Sequence, residues 1–93
     1  MMTERDFLER THLDRPTLEV WIREEWIVPD RTTPERAYSD MDLARANLIH
    51  DLKHNMGVND EGLDVILHLI DQMHGLRKAL AEALASIKQQ TRP

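Results

Sequence analysis

Between Leu63 and Ile87 the apolar residues keep a helical rhythm. Leu63, Ile66, Ile70, Met73, Leu80, Leu84 and Ile87 alternate at spacings of three and four, and Arg77 holds the one charged position in the row. Such spacing lines up every member on one face of an α-helix, as a heptad seam of about three and a half heptads. A strand, with its period of two, cannot carry it. The pattern therefore predicts a long helix over about 60–88, capped by Asn59, with Asp60 and Glu61 at its positive end. At 1.5 Å per residue that helix spans ~43 Å. The residues preceding it are too few to cover such a length. Leu67, Leu69, Leu76 and Ala83 widen the stripe, and a wide stripe can serve an internal core and a partner at once. Self-association through the C-terminal half is expected. A homodimer would bury Leu80, Leu84 and Ile87, with Arg77 setting register or pairing with an acid across the interface.

Three shorter helices are expected upstream. The first runs from about Glu4 to Arg10 with Thr3 as its N-cap. The second follows Asp14, another good N-cap, and has Pro16 in its first turn, where the missing N–H costs nothing. It carries Leu18, Val20, Trp21 and Ile22 and ends near Glu24 or Glu25. With only Thr11-His12-Leu13 between them, the two form a helix-turn-helix unit. Pro29 and Pro34 keep residues 26–38 from being helical, so this stretch reads as a loop or small wing with two short strands. Ser39 with Asp42 three residues on resembles a capping box. It starts a third helix that runs to about Met56, closed by Gly57 in the left-handed conformation. The fold class expected is all-α. The 93 residues form a single domain, with the helix-turn-helix and wing over 3–58 and the long helix over 59–88.

Composition narrows the function. There is no cysteine, which removes disulfides, thiolate zinc sites, iron–sulfur clusters and cysteine nucleophiles. The opening MMTERDFLER lacks the apolar core of a signal peptide, and no apolar run is long enough to span a membrane. A cytoplasmic location is expected. Twelve Lys and Arg against 17 Asp and Glu give a net charge of −5, a poor balance for a dedicated nucleic-acid binder and a better one for basic protein partners. His50 and His54 stand four apart, as a metal pair would, but no local signature supplies a third ligand. They read as residues of a solvated face, so no metal site is expected. His68 and His74, beside Asp64 and Asp71, suit local charge pairing, and His12 suits packing or capping in the turn. Gly57, Gly62 and Gly75 are dispersed rather than gathered in a phosphate loop, and no serine sits in a nucleophile elbow. No enzyme activity and no cofactor are expected.

The stretch from Thr17 to Pro29, TLEVWIREEWIVP, resembles the recognition-helix region of MerR-type winged helix-turn-helix proteins. Those read Thr-Leu-Arg-Tyr-Tyr-Glu-Arg-Glu-Gly-Leu-Leu and reach a proline after one more residue. Arg36-Ala37-Tyr38-Ser39 resembles the wing exit of that family, Arg-Leu-Tyr-Ser. The chain departs from the pattern where DNA is held. Glu19 stands in place of an arginine, Glu25 in place of the glycine of the turn, and Ile22 in place of a polar residue. An acidic helix in a major groove faces phosphates at close range and forfeits counterion release.

Residues 57–77, GVNDEGLDVILHLIDQMHGLR, resemble the C-terminal segment of the chaperone-modulator family CbpM, with Gly62, Val65, Leu69, Asp71 and Leu76 on its pattern. The resemblance implies binding to the J-domain of a DnaJ/CbpA-like co-chaperone, which blocks its stimulation of DnaK. The partner-binding residues expected are Glu19, Trp21, Arg23, Glu24, Glu25 and Trp26, on the second helix and at its end. The alternative is a small MerR- or HspR-type transcriptional regulator, with Arg15, Arg23, Arg31, Arg36 and Arg45 on DNA.

Overall fold

The structure is a computed structural model that describes residues 1–90. In chain order it contains β1 (Met2–Thr3), α1 (Glu4–Thr11), α2 (Arg15–Arg23), β2 (Ala37–Tyr38), α3 (Asp40–His50), a π-helical turn (Asp51–Asn55) and α4 (Asp60–Gln90). The fold is thus all-α apart from one two-stranded antiparallel ribbon, in which Met2 faces Tyr38 and Thr3 faces Ala37. The chain divides into two units, with the cut inside α4 after Leu63. No helix among the described residues is long and apolar enough to cross a membrane.

The first unit, residues 1–63, takes its helix boundaries from local chemistry. The Thr3 side chain accepts from the Asp6 N–H at 3.2 Å, and Asp14 Oδ1 accepts from the Thr17 N–H at 2.8 Å. Ser39 and Asp42 form a complete capping box: the Asp42 N–H donates to Ser39 Oγ at 3.1 Å, and the Ser39 N–H to Asp42 Oδ2 at 2.9 Å. His12 closes α1 in the left-handed conformation, φ 59°. The turn between α1 and α2 is thereby fixed at both ends.

α3 departs from the sequence expectation of a regular helix to Met56. After His50 the backbone widens into the π turn. The Met56 N–H donates to the Asp51 carbonyl at 3.1 Å, and the Val58 N–H to the Leu52 carbonyl at 2.8 Å. In an ordinary helix stop of this type the closing bond reaches back five residues. Here it reaches back six, and the π turn supplies the additional residue. Gly57, at φ +68°, makes the reversal, a conformation that costs residues with a Cβ roughly 1–2 kcal/mol. The next helix starts on Asn59, whose Oδ1 accepts from the Gly62 N–H at 2.8 Å. A Cβ at Gly62 would stand 2.9 Å from Val58 Cγ1 and 3.0 Å from that same Asn59 oxygen. Glycine is needed there because the cap folds over it.

The ribbon is the second departure. The sequence reading places two strands within residues 26–38, but only β2 lies there, and its partner is the N-terminal Met2–Thr3. On its other side Ala37 bridges to Asp30, with N–H to carbonyl distances of 2.9 and 3.1 Å. A two-residue strand carries too short a pattern to announce itself in a sequence.

The core of this unit holds Phe7, Leu18, Trp21, Ile22, Trp26, Ile27, Tyr38, Ala46, Ile49, Leu52 and Leu63, all buried. Phe7 and Tyr38 stack at 4.3 Å between ring centroids, inclined by 15°. Trp21 and Trp26 meet at 6.3 Å and 52°. Burial of each large side chain contributes about 1.5–3 kcal/mol.

In the second unit, from Asp64 on, α4 runs unbroken to Gln90. Val65, Leu69, Met73, Leu76, Leu80, Leu84 and Ile87 are all between 43% and 72% exposed. Their spacing places them in one stripe along about 33 Å of helix. The seam read from the sequence is therefore divided. Leu63 is fully buried in the first unit and is not available to a partner helix, and Ile66 and Ile70 are half-buried. Met73, Leu80, Leu84 and Ile87 remain exposed, and Val65, Leu69 and Leu76 join them.

Candidate functional site

α1, α2 and the wing strand meet at an ionic cluster centred on Glu4. Its Oε1 accepts from the Tyr38 hydroxyl at 2.8 Å and lies 3.5 Å from Arg36 Nη1, while its Oε2 lies 3.1 Å from Arg15 Nη1. Arg36 also donates from Nη1 to Glu19 Oε1. Helical spacing brings Arg15 and Glu19 to the same face of α2, and the β1–β2 ribbon carries Arg36 to that face. The hydrogen bond from Arg36 holds the Glu19 carboxyl below its ordinary range, and the same bond raises Arg36. Burial, reinforced by the Glu4 carboxylate, pushes the Tyr38 hydroxyl well above the usual phenol range. Both carboxylates are thus occupied by arginine. A groove of about 430 Å³ runs over the cluster, lined by Thr3, Glu4, Arg5, Arg15, Glu19, Glu35 and Arg36.

The residues expected to bind a partner separate on this surface. Trp21 and Trp26 are buried. Both indoles are needed in the core, so neither serves as an exposed anchor, which corrects that assignment. Glu19 is turned to Arg36. Arg23, Glu24 and Glu25 are exposed at the end of α2. Of the arginines assigned to DNA, Arg15 and Arg36 are paired with acids. Arg45 donates from Nε to the Trp26 carbonyl and secures the loop after α2. Arg23 and Arg31 are exposed. Glu4 is the member that sequence reasoning missed. It lies far from Arg36 and Tyr38 along the chain, and no periodicity links them.

α2 stops through a six-to-one bond from the Trp26 N–H to the Trp21 carbonyl at 2.9 Å and a bond from the Glu25 N–H to the Ile22 carbonyl at 3.0 Å. This is a Schellman stop with Glu25, at φ 61°, in the left-handed position that glycine prefers. Glu25→Gly should relieve roughly 1–2 kcal/mol of strain and return about half of that through a more flexible unfolded chain. The expected result is a melting temperature raised by roughly 2–8 °C in a thermal scan. A lower melting temperature would refute the strain.

A second groove, of about 330 Å³, lies at the α1–α2 turn and is lined by residues that include His12, Asp14, His50, Lys53 and His54. The rings of His50 and His54 are 4.4 Å apart. Lys53, one of its lining residues, places its Nζ 3.1 Å from Asp60 and 5.8 Å from the centre of the Trp26 ring. Among the described residues, no three His, Asp or Glu side chains are placed to hold a metal ion.

Comparison with known proteins agrees with this geometry. A family model described as MerR HTH family regulatory protein matches residues 2–84. No curated protein and no solved structure gives a significant match. The match takes in the capped helix pair, the wing ribbon, α3 and most of α4, and the chain belongs to the MerR helix-turn-helix family of regulatory proteins.

Proposed function

We propose that this member of the family acts by binding protein rather than by reading DNA or by catalysis. In this reading it is a chaperone modulator of the CbpM kind, which holds the J-domain of a DnaJ/CbpA-like co-chaperone and keeps it from stimulating DnaK. The observation that carries the proposal is the pairing of Arg36 with Glu4 and Glu19. The wing arginine that a DNA reader would turn toward phosphate is neutralised within the chain itself. The net charge of −5 supports the same reading, because an acidic protein is attracted to the basic helix that J-domains offer to DnaK. Complementary charge of this kind speeds encounter and fixes orientation. Covering that helix would exclude DnaK sterically. The exposed apolar stripe on α4 adds a surface suited to protein contact. We assign its C-terminal half, Leu80, Leu84 and Ile87, to a second copy of the chain. A cytoplasmic setting follows from the partner.

Calorimetric titration of the intact protein into a purified J-domain, at two salt concentrations, tests the proposal. Saturable binding that weakens as salt rises is the expected result. No heat of binding at tens of micromolar would overturn it. The exposed Arg23 and Arg31 favour one second reading, a sequence-specific regulator. A shifted band with upstream DNA at low salt, displaced by specific competitor only, would establish it instead.

A further inference from the structure

We propose that Glu19 is the residue that excludes nucleic acid from this chain, by closing a groove that would otherwise bind a phosphate backbone. Three arginines line the groove over the ionic cluster, Arg5, Arg15 and Arg36, and three glutamates offset them, Glu4, Glu19 and Glu35. The formal charge around the groove is therefore zero. A phosphate entering it meets arginines that already donate to carboxylates, and a groove with no net positive charge displaces few of the cations condensed on nucleic acid. The arginines themselves are well placed. Two of them, Arg15 and Arg36, reach the same carboxylate, Glu4, at 3.1 and 3.5 Å, so they are near enough to one another to share a phosphate.

Glu4 and Glu19 differ in what else they do. Glu4 also accepts from the Tyr38 hydroxyl and is largely shielded, so it belongs to the architecture of the unit. The Glu19 side chain is 42% exposed, and the ion pair with Arg36 is its direct contact in the cluster. It can be replaced without opening the core, and its loss leaves the wing arginine with Glu4 as its remaining acidic partner in the cluster. Glu19→Gln leaves the groove with one net positive charge, and Glu19→Arg adds a second. The proposal deepens the reading of the chain as a protein binder by naming the residue responsible for indifference to DNA. It also stands on its own measurements, since a failed J-domain titration leaves them untouched.

The test uses the intact protein and a fluorescein-labelled duplex of about 20 base pairs and arbitrary sequence, followed by anisotropy at 50 and 200 mM salt. The wild type is expected to show no saturable binding at tens of micromolar. Glu19→Arg is expected to bind at least about tenfold more tightly than the wild type at the lower salt, and to lose most of that affinity at the higher salt, as counterion release requires. Glu19→Gln should fall between them. Adding Arg36→Ala to Glu19→Arg should remove the greater part of the gain. Circular dichroism and a thermal scan confirm that each variant is folded, and Glu19→Gln, nearly isosteric, carries the comparison if the arginine variant is not. Folded variants with wild-type affinity would overturn the proposal, as would a wild type that already binds as tightly as Glu19→Arg.

Discussion

Phe7→Ala should remove most of the stability of the first unit. Phe7 is completely buried and stacks on the equally buried Tyr38 at 4.3 Å. Removing its ring deletes the stacked contact between α1 and the wing strand and leaves a cavity between them. Truncations of this kind cost about 3–5 kcal/mol, against a total stability of roughly 5–15 kcal/mol for natural domains, with small ones near the lower end. Urea denaturation followed by tryptophan fluorescence reads the effect directly, because Trp21 and Trp26 are both buried in the same unit. Tyr38→Phe is the informative control. It keeps the stacked ring and removes only the bond to Glu4 Oε1, and should cost about 1.5–3 kcal/mol, the range for a bond to a charged group. Equal losses for the two variants would mean that the hydroxyl, rather than the stack, holds the wing.

Leu80→Glu combined with Leu84→Glu should convert the proposed dimer to a monomer. Both leucines are exposed in the single chain and lie one helical turn apart on the same stripe. In a paired helix each would contribute roughly 1.5–3 kcal/mol per copy through burial, and a carboxylate in its place would be desolvated without a partner. Sedimentation should show twice the 10.9 kDa chain mass for the wild type and the single mass for the double variant. Neither substitution removes a buried side chain, so the helix content of the first unit should be preserved. A wild type that sediments as a monomer at high micromolar concentration would remove the dimer from the proposal.

The sequence made the helices legible because their signals are local. Thr3, Asp14 and Ser39 each accept from a backbone N–H within their own first turn, and Gly57 takes the left-handed position expected of it. The contacts that build the site are not local. Glu4 meets Tyr38 and Arg36 only after the N-terminal strand has paired with the wing, and two-residue strands leave no periodicity to read. Heptad spacing marked which α4 residues share a face, but it could not separate residues that an internal core uses from those left exposed. Leu63 and Leu80 obey the same pattern and end in opposite surroundings. The tryptophans were ambiguous for a related reason. An aromatic residue on a short amphipathic helix satisfies a core and an interface equally well, and only the three-dimensional packing decides.

The wide turn at Asp51–Asn55 has an evolutionary consequence. It behaves as a helix that has gained one residue without losing its path. Deleting one of its exposed residues would restore an ordinary turn and leave the chain downstream in nearly the same phase. Leu63, fully buried, would keep its place in the core. A stretch with mostly exposed side chains is then a place where chain length can change by one residue without disturbing what lies on either side.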